Sequence, residues 1–406
     1  MHSHSHTHSH GSSSSHGSLE FVTKIIVGII GFSILTFLFI LATNTSVLVG
    51  LLGGFVDDSE VIERTYHIGV VKTIQQPVEE IVDNSFPQDI PVEITLENAS
   101  TDNSEIIAMV NQADRAFVRP DGEILLHPGD DVVVLQIGDG DYVNFFVADH
   151  ARIQSAIFAI IIFFLVAAVF AGYQGISSFI GLIVSILILV LYIVPQILGG
   201  GNPMFVSLIG SLGIVVPSMY FAHGFSKRTT IALVSTLAVI VLTVILAWIF
   251  VYMTGLQGLG SEEVIYIDSF STEPINLKGL LLGGIIIGTL GVLDDITTAQ
   301  TAVVDELSKA NKRLTMKELY IRASSVGKEH ISSLINTLVL AYAGAAFPIF
   351  ILLVANQGEP LWVILNREFI IEELVRTIVG STTLILTVPI TTLLAATIYA
   401  PKKEIS

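Results

Sequence analysis

Apolar residues run along this chain in eight blocks near the length of a membrane crossing, at 21–41, 153–171, 176–194, 204–222, 231–253, 277–293, 331–355 and 374–399. A helix needs about 20 such residues to cross a bilayer's hydrocarbon. The pattern predicts an α-helical polytopic membrane protein with about eight transmembrane helices, a signal anchor over 21–56 and a seven-helix membrane domain over 151–406. Between them, residues 57–150 change period. Val92, Ile94 and Leu96 alternate with polar neighbours, and turn signals follow at Pro120-Asp121-Gly122, His127-Pro128-Gly129-Asp130 and Gly138-Asp139-Gly140-Asp141. These predict strands near 115–119, 123–126, 132–137 and 142–147, an inserted small all-β domain built as a sheet or barrel.

Composition agrees with a bilayer as the main solvent: 52% of the 406 residues are apolar and 14% charged. The net charge of −17 is concentrated, because residues 57–150 hold 20 acidic residues against four basic ones. Nothing in that balance suits nucleic acid. Short-loop cations fall on one predicted face: Lys227 and Arg228, then Lys309, Lys312, Arg313, Lys317, Arg322 and Lys328, then Lys402 and Lys403. The positive-inside rule makes that face cytoplasmic, with both termini on it and residues 57–150 extracytoplasmic. The chain has no cysteine, which excludes disulfides and thiolate chemistry. Residues 1–20 are a His/Ser-rich tail, a tag or a native segment, whose closely spaced histidines would bind transition metals in either case.

The later helices carry an internal echo. Leu182-Ile183-Val184-Ser185-Ile186, Leu233-Val234-Ser235-Thr236-Leu237 and Leu334-Ile335-Asn336-Thr337-Leu338 share one pattern; residues 209–214, 287–292 and 379–384 share another. The two suggest a three-fold helical-hairpin repeat in one orientation, unlike the inverted repeats of many carriers. Small-residue runs of this kind also arise in membrane helices by composition.

The sixth block holds the chemistry. Gly284, Gly288 and Gly291 share a helical face and predict close helix packing. Asp294 and Asp295 follow. A charge inside a bilayer costs about 2.5–3.5 kcal/mol or more, so an intramembrane carboxylate is paired, protonated or wet. If the helix continues past Thr298, Asp294, Thr298, Thr301 and Asp305 line one face at i, i+4, i+7 and i+11, a stripe fit to bind a cation or relay a proton. Otherwise the aspartates lie at the membrane boundary, solvated or capping the next helix. Residues 303–314 alternate apolar and charged positions like a helix lying on a membrane surface. Further polar candidates at depth are Asn336, Ser381 and Thr382, with Arg376 near a span's outer end. Pro217, Pro348 and Pro389 are candidate kinks, and His223 and His330 sit at helix ends. Asp130 with Asp131 and Asp139 with Asp141 either hold a cation or form a solvated acidic surface.

No His-Glu-x-x-His, Gly-x-Ser-x-Gly or Gly-x-x-x-x-Gly-Lys motif is present, so no zinc protease, hydrolase elbow or ATPase is indicated and no cofactor is called for. An intramembrane aspartyl protease needs a second carboxylate from another helix. The expectation is a secondary transporter or permease for a small ion or solute, not an enzyme. The rival is a scaffold or sensor that binds an extracytoplasmic protein partner, and homo-oligomer formation stays open for both.

The run Gly288-Thr-Leu-Gly-Val-Leu-Asp-Asp-Ile-Thr-Thr-Ala-Gln300 resembles the YibE/F family of bacterial multi-pass membrane proteins. Residues 326–331, 336–345 and 373–381 extend the resemblance, which covers the chain from about residue 60 to its end. It implies a bacterial plasma-membrane location and a permease-like role with no particular substrate. It also draws attention to Asp294, Asp295, Thr297, Gln300, Asn336 and Arg376.

Overall fold

The computed structural model describes residues 64–75, 89–96, 105–111, 113–120, 123–138, 143–270, 274–355 and 358–401. The predicted anchor at 21–41, the His-rich tail and the Asp139/Asp141 pair lie outside them. The chain divides into two compact units, Met1–Ile176 and Ser177–Ser406.

The first unit contains a closed five-stranded barrel: β1 (Arg64–Ile74), β2 (Ile90–Leu96), β3 (Glu105–Val110), β4 (Asp131–Ile137) and β5 (Asn144–His150), in the order β1-β2-β3-β5-β4. All neighbours are antiparallel except β3 and β5. Period-two burial drives it. Ile90, Val92, Ile94 and Leu96 all point inward, where they meet Val132, Val134, Val110 and Phe117 in one core. Register shifts in β1 at Val71/Thr73 and between β4 and β5 at Val133/Val134 add the twist that closure needs. Gly69 is required where β1 crosses β2, since a Cβ there would lie 2.5 Å from Ile94 Cγ2. Two expected strands do not form: residues 115–119 and 123–126 meet only as an isolated bridge, Val118 with Ile124, and their side chains plug the core. β1 and β3, which the turn signals do not bracket, take their place. Asp130 serves the local turn, its Oδ2 accepting the His127 N–H at 2.7 Å.

The helices are α1 (Ile153–Ile188), a π turn (Leu189–Ile193), α2 (Val194–Leu198), α3 (Pro203–His223), α4 (Lys227–Thr254), α5 (Glu262–Phe270), α6 (Leu277–Ala310), α7 (Met316–Ala345), α8 (Phe347–Ala355), α9 (Leu361–Leu365) and α10 (Glu368–Tyr399). Their starts are written in the sequence. Asn202 accepts from the Met204 N–H ahead of Pro203, Ser226 caps α4, Asn276 caps α6, and Thr315 with Glu318 forms a full capping box on α7.

Five helical runs among the described residues are long and apolar enough to cross a membrane, or six if α7 and α8 count as one bent span. Two of the eight expected spans fuse into the run Ile153–Leu198, whose 46 residues exceed one crossing. Helical geometry breaks inside it at Gly172 (φ 56°, ψ −134°), a backbone conformation open to glycine. The expected 331–355 span is also redrawn: α7 begins fifteen residues earlier, at Met316, and meets α8 at a 63° bend. Pro348, in the first turn of α8, accounts for the bend because it has no N–H to continue the α7 ladder. Of the expected surface helix over 303–314, residues 303–310 are instead the end of α6 and residues 311–314 lie in the turn before α7. Val304 is fully buried there against Leu319, Ala323, Ala395 and Ala396.

α6 is the hub of the second unit, packed on α3, α4, α7 and α10. α6 and α10 run parallel: Leu281 and Ile285 share a core with Val375 and Val379, and Val304 shares one with Ala395. Gln300 donates to Thr392 across a separation of 92 residues, the same offset that aligns the repeat motifs at 287 and 379. At the start of α10, Glu368 Oε1 accepts the N–H groups of Gln257, Gly258 and Leu259, and Glu372 Oε1 that of Gly260. Two carboxylates thus pin the α4–α5 loop.

Candidate functional site

α6 is continuous through Asp294 and Asp295 to Ala310, so neither aspartate caps a new helix. The helix turns them in different directions. Asp295 is exposed, whereas Asp294 faces α3, with one carboxylate oxygen accepting from Ser218 Oγ at 3.3 Å. Its other oxygen is buried and has no hydrogen-bond partner. Thr298, one turn on, approaches the carboxylate without reaching hydrogen-bond geometry. The titratable groups whose fields act on Asp294 are His223 and Asp295.

Asp294 lies in the wall of a cavity of about 300 Å³ between α1, α3 and α6. Its apolar wall is Leu182, Ile186, Ile214, Ile287 and Leu290, and Ser178, Ser185 and Ser218 add hydroxyls. This is the character of a small-ligand site: mostly apolar, with a few polar groups to orient what enters. The interior proline Pro217 leaves the Gly213 carbonyl without its usual helical partner one turn before Ser218.

The other candidates scatter. Thr297 is fully buried, 2.8 Å from Thr236 Oγ1 and bonded to the Asp294 carbonyl. Gln300 ties three helices together, donating to Thr392 Oγ1 at 2.7 Å and to the Ala323 carbonyl at 3.0 Å. Both therefore fasten the bundle beside the cavity. Asn336 is exposed on α7 and is not among the residues that line the Asp294 cavity. Arg376 pairs with Glu373 at 2.9 Å near the start of α10, and its Nε is buried without a partner. Ser381 and Thr382 are half-buried on α10, away from Asp294, with the Ser381 hydroxyl unpaired.

The expected packing glycines need correction. Gly284, Gly288 and Gly291 are exposed, and a Cβ at Gly284 or Gly291 would meet nothing within 4 Å. Close helix approach occurs one residue away, at Gly283 against Ser207 and Pro203. Helical spacing puts the three glycines on one stripe but does not say which of two adjacent stripes faces the bundle. The reading also missed Ser218 and the buried threonines of α4. Thr229, Thr236 and Thr243 recur at seven-residue intervals, the period of a packing seam, so a signal for them existed.

A family model described as YibE/F-like protein matches residues 159–401. The chain belongs to the YibE/F-like family. Comparison with curated proteins and with solved structures finds no match for it. The matched range of this YibE/F-like protein takes in the whole α1–α10 bundle apart from the first residues of α1, and with it Asp294, Ser218 and the cavity between them. With its apolar spans, the chain is a membrane-embedded protein.

Proposed function

We propose that this YibE/F-like protein is a gradient-driven carrier of a small ion or solute, with Asp294 as its ion-handling group. One observation carries the reading: a carboxylate on the hub helix lines a cavity with one oxygen bonded to Ser218 and the other buried and bare. A buried carboxylate without a partner is costly, and a proton or a cation is the partner that removes the cost. The orientation proposed is the one the cations suggest. Lys227 stacks over the Tyr399 ring at 4.9 Å, and Lys309 and Lys312 line a cavity with the same tyrosine, so basic side chains from separate helix ends gather at one end of the unit. We take that end as cytoplasmic, in a bacterial plasma membrane. No step in this reading involves bond chemistry, and the protein is proposed as a non-enzyme.

The test is uptake of the cation itself, measured by elemental analysis of washed proteoliposomes, under imposed gradients of sodium, potassium, magnesium, manganese and zinc in turn. At least one gradient should drive flux in the wild type and fail to do so in Asp294→Asn. Equal flux in the two proteins, or none in the wild type, would remove the carrier reading. A scaffold role has one observation in its favour. The outer face of β2 and β3 displays Ile107 and Met109 beside Pro91 and Glu93, an apolar pair 53% and 38% exposed that a protein partner could cover.

A further inference from the structure

Threonine hydroxyls in membrane helices ordinarily donate to the carbonyl one turn back. Thr236, Thr243, Thr387 and Thr392 do so here, at 3.0, 2.9, 2.8 and 2.6 Å. Thr298 and Thr301 on α6 and Thr391 on α10 do not: each hydroxyl is buried and has no partner. They lie close in level, because Gln300 bonds Thr392 between the same two helices. The stripe Asp294, Thr298, Thr301, Asp305 therefore runs through the bundle interior with its two middle hydroxyls uncommitted. It begins at the Asp294 cavity. It ends at Asp305, which bonds Lys309 at 2.7 Å in the wall of a second cavity of about 350 Å³ lined also by Lys312 and Tyr399.

We propose that Thr298, Thr301 and Thr391 hold a file of bound water that passes protons between Asp294 and Asp305. This rests on reading Asp294 as the ion-handling group, and it adds that the ion leaving it toward the Asp305 end is a proton. Eleven residues of helix separate the two carboxylates by roughly 16 Å. Oxygens in a hydrogen-bonded file stand about 2.8 Å apart, so the hydroxyls need only a few waters between them. Buried polar groups left without protein partners are where such waters reside. A proton on Asp294 passes to the first oxygen as that oxygen releases one to the next. Every member gains one proton and loses one, and the last arrives at Asp305 or at water beside it. A bare cation would need several oxygens converging at one point, whereas a stripe spaced along a helix offers them in series.

The charged and titratable groups around the two ends are His223 and Asp295 at Asp294, and Glu306, Lys309, Lys312, Tyr399 and Arg228 at Asp305. The experiment is proton uptake by proteoliposomes of the full chain, driven by a valinomycin potassium potential and read with an internal pH dye. Thr301→Val should slow uptake by about a hundredfold, the scale of a positioned proton-transfer group. Thr301→Ser, which keeps the hydroxyl, should restore it, and Thr243→Val, whose hydroxyl is spent on its own helix, should leave it unchanged. Matching melting temperatures for the Val and Ser variants exclude a folding cause. Absent uptake in the wild type, or equal uptake by Thr301→Val and Thr301→Ser, overturns the proposal. The carrier reading fails separately: a protein that moves a cation in the gradient assay but conducts no proton keeps that reading and loses the file.

Discussion

Two adjacent glycines on α6 should respond in opposite directions to the same methyl group. At Gly283 an alanine Cβ would collide with Ser207 Oγ and lie 3.0 Å from Ser207 Cβ and 3.3 Å from the Pro203 carbonyl oxygen, all on the buried flank of α3. Overpacking a well-filled contact costs about 1–3 kcal/mol. Replacing a mid-helix glycine returns about 0.5–1 kcal/mol of backbone entropy. The net for Gly283→Ala is a loss of roughly 0–2.5 kcal/mol. At Gly284 the Cβ meets nothing, so only the gain of about 0.5–1 kcal/mol remains. For a unit of this size one kcal/mol moves the melting point by about 2–4 °C. Gly284→Ala should therefore melt about 1–4 °C higher than wild type and Gly283→Ala up to about 10 °C lower. Thermal unfolding of the full chain in nanodiscs, followed by helix circular dichroism, reads both. Equal shifts, or the reverse order, would refute the assignment of the buried face of α6. A fall for Gly284→Ala alone would mean that another copy of the chain packs on the exposed stripe.

Gln300→Met keeps volume and deletes the two hydrogen bonds that join α6 to α7 and α10. Interhelical hydrogen bonds in membranes average about 0.6 kcal/mol, so the loss should be about 1 kcal/mol, since Thr392 keeps its bond to the Val388 carbonyl. The same melts measure it, and no change would show that Gln300 fastens nothing. In the barrel unit, the His150 backbone N–H, helped by Arg152, holds the Asp149 carboxyl below the usual carboxylate range against the opposing effect of burial. Such a group favours folding when ionised: its contribution is full above the unfolded-state value near 4 and fades as pH falls through the lower folded value. Asp149→Asn should flatten that acid limb, read by limited proteolysis of the full chain across pH 2–5. A wild-type and a variant with the same acid profile would count against it. Asp149 is largely exposed, so the effect is small.

The sequence by itself determined the class. Block length and hydropathy demanded a membrane protein, because helices of that composition have no other solvent. Period-two alternation demanded strands around Ile94. These features are local, since each depends on residues within one or two turns of one another. Only tertiary structure decided direction and company. Helical period placed Gly284 and Asp294 on stripes, yet whether a stripe faces protein or open space depends on helices distant in sequence, as Ser207 does for Gly283 and Ser218 for Asp294. β1 and β3 escaped notice because strand pairing is settled by partners across the barrel. The same reason separates Asp294 from Asn336: the motifs name both, and only packing sends one into a cavity and the other outward.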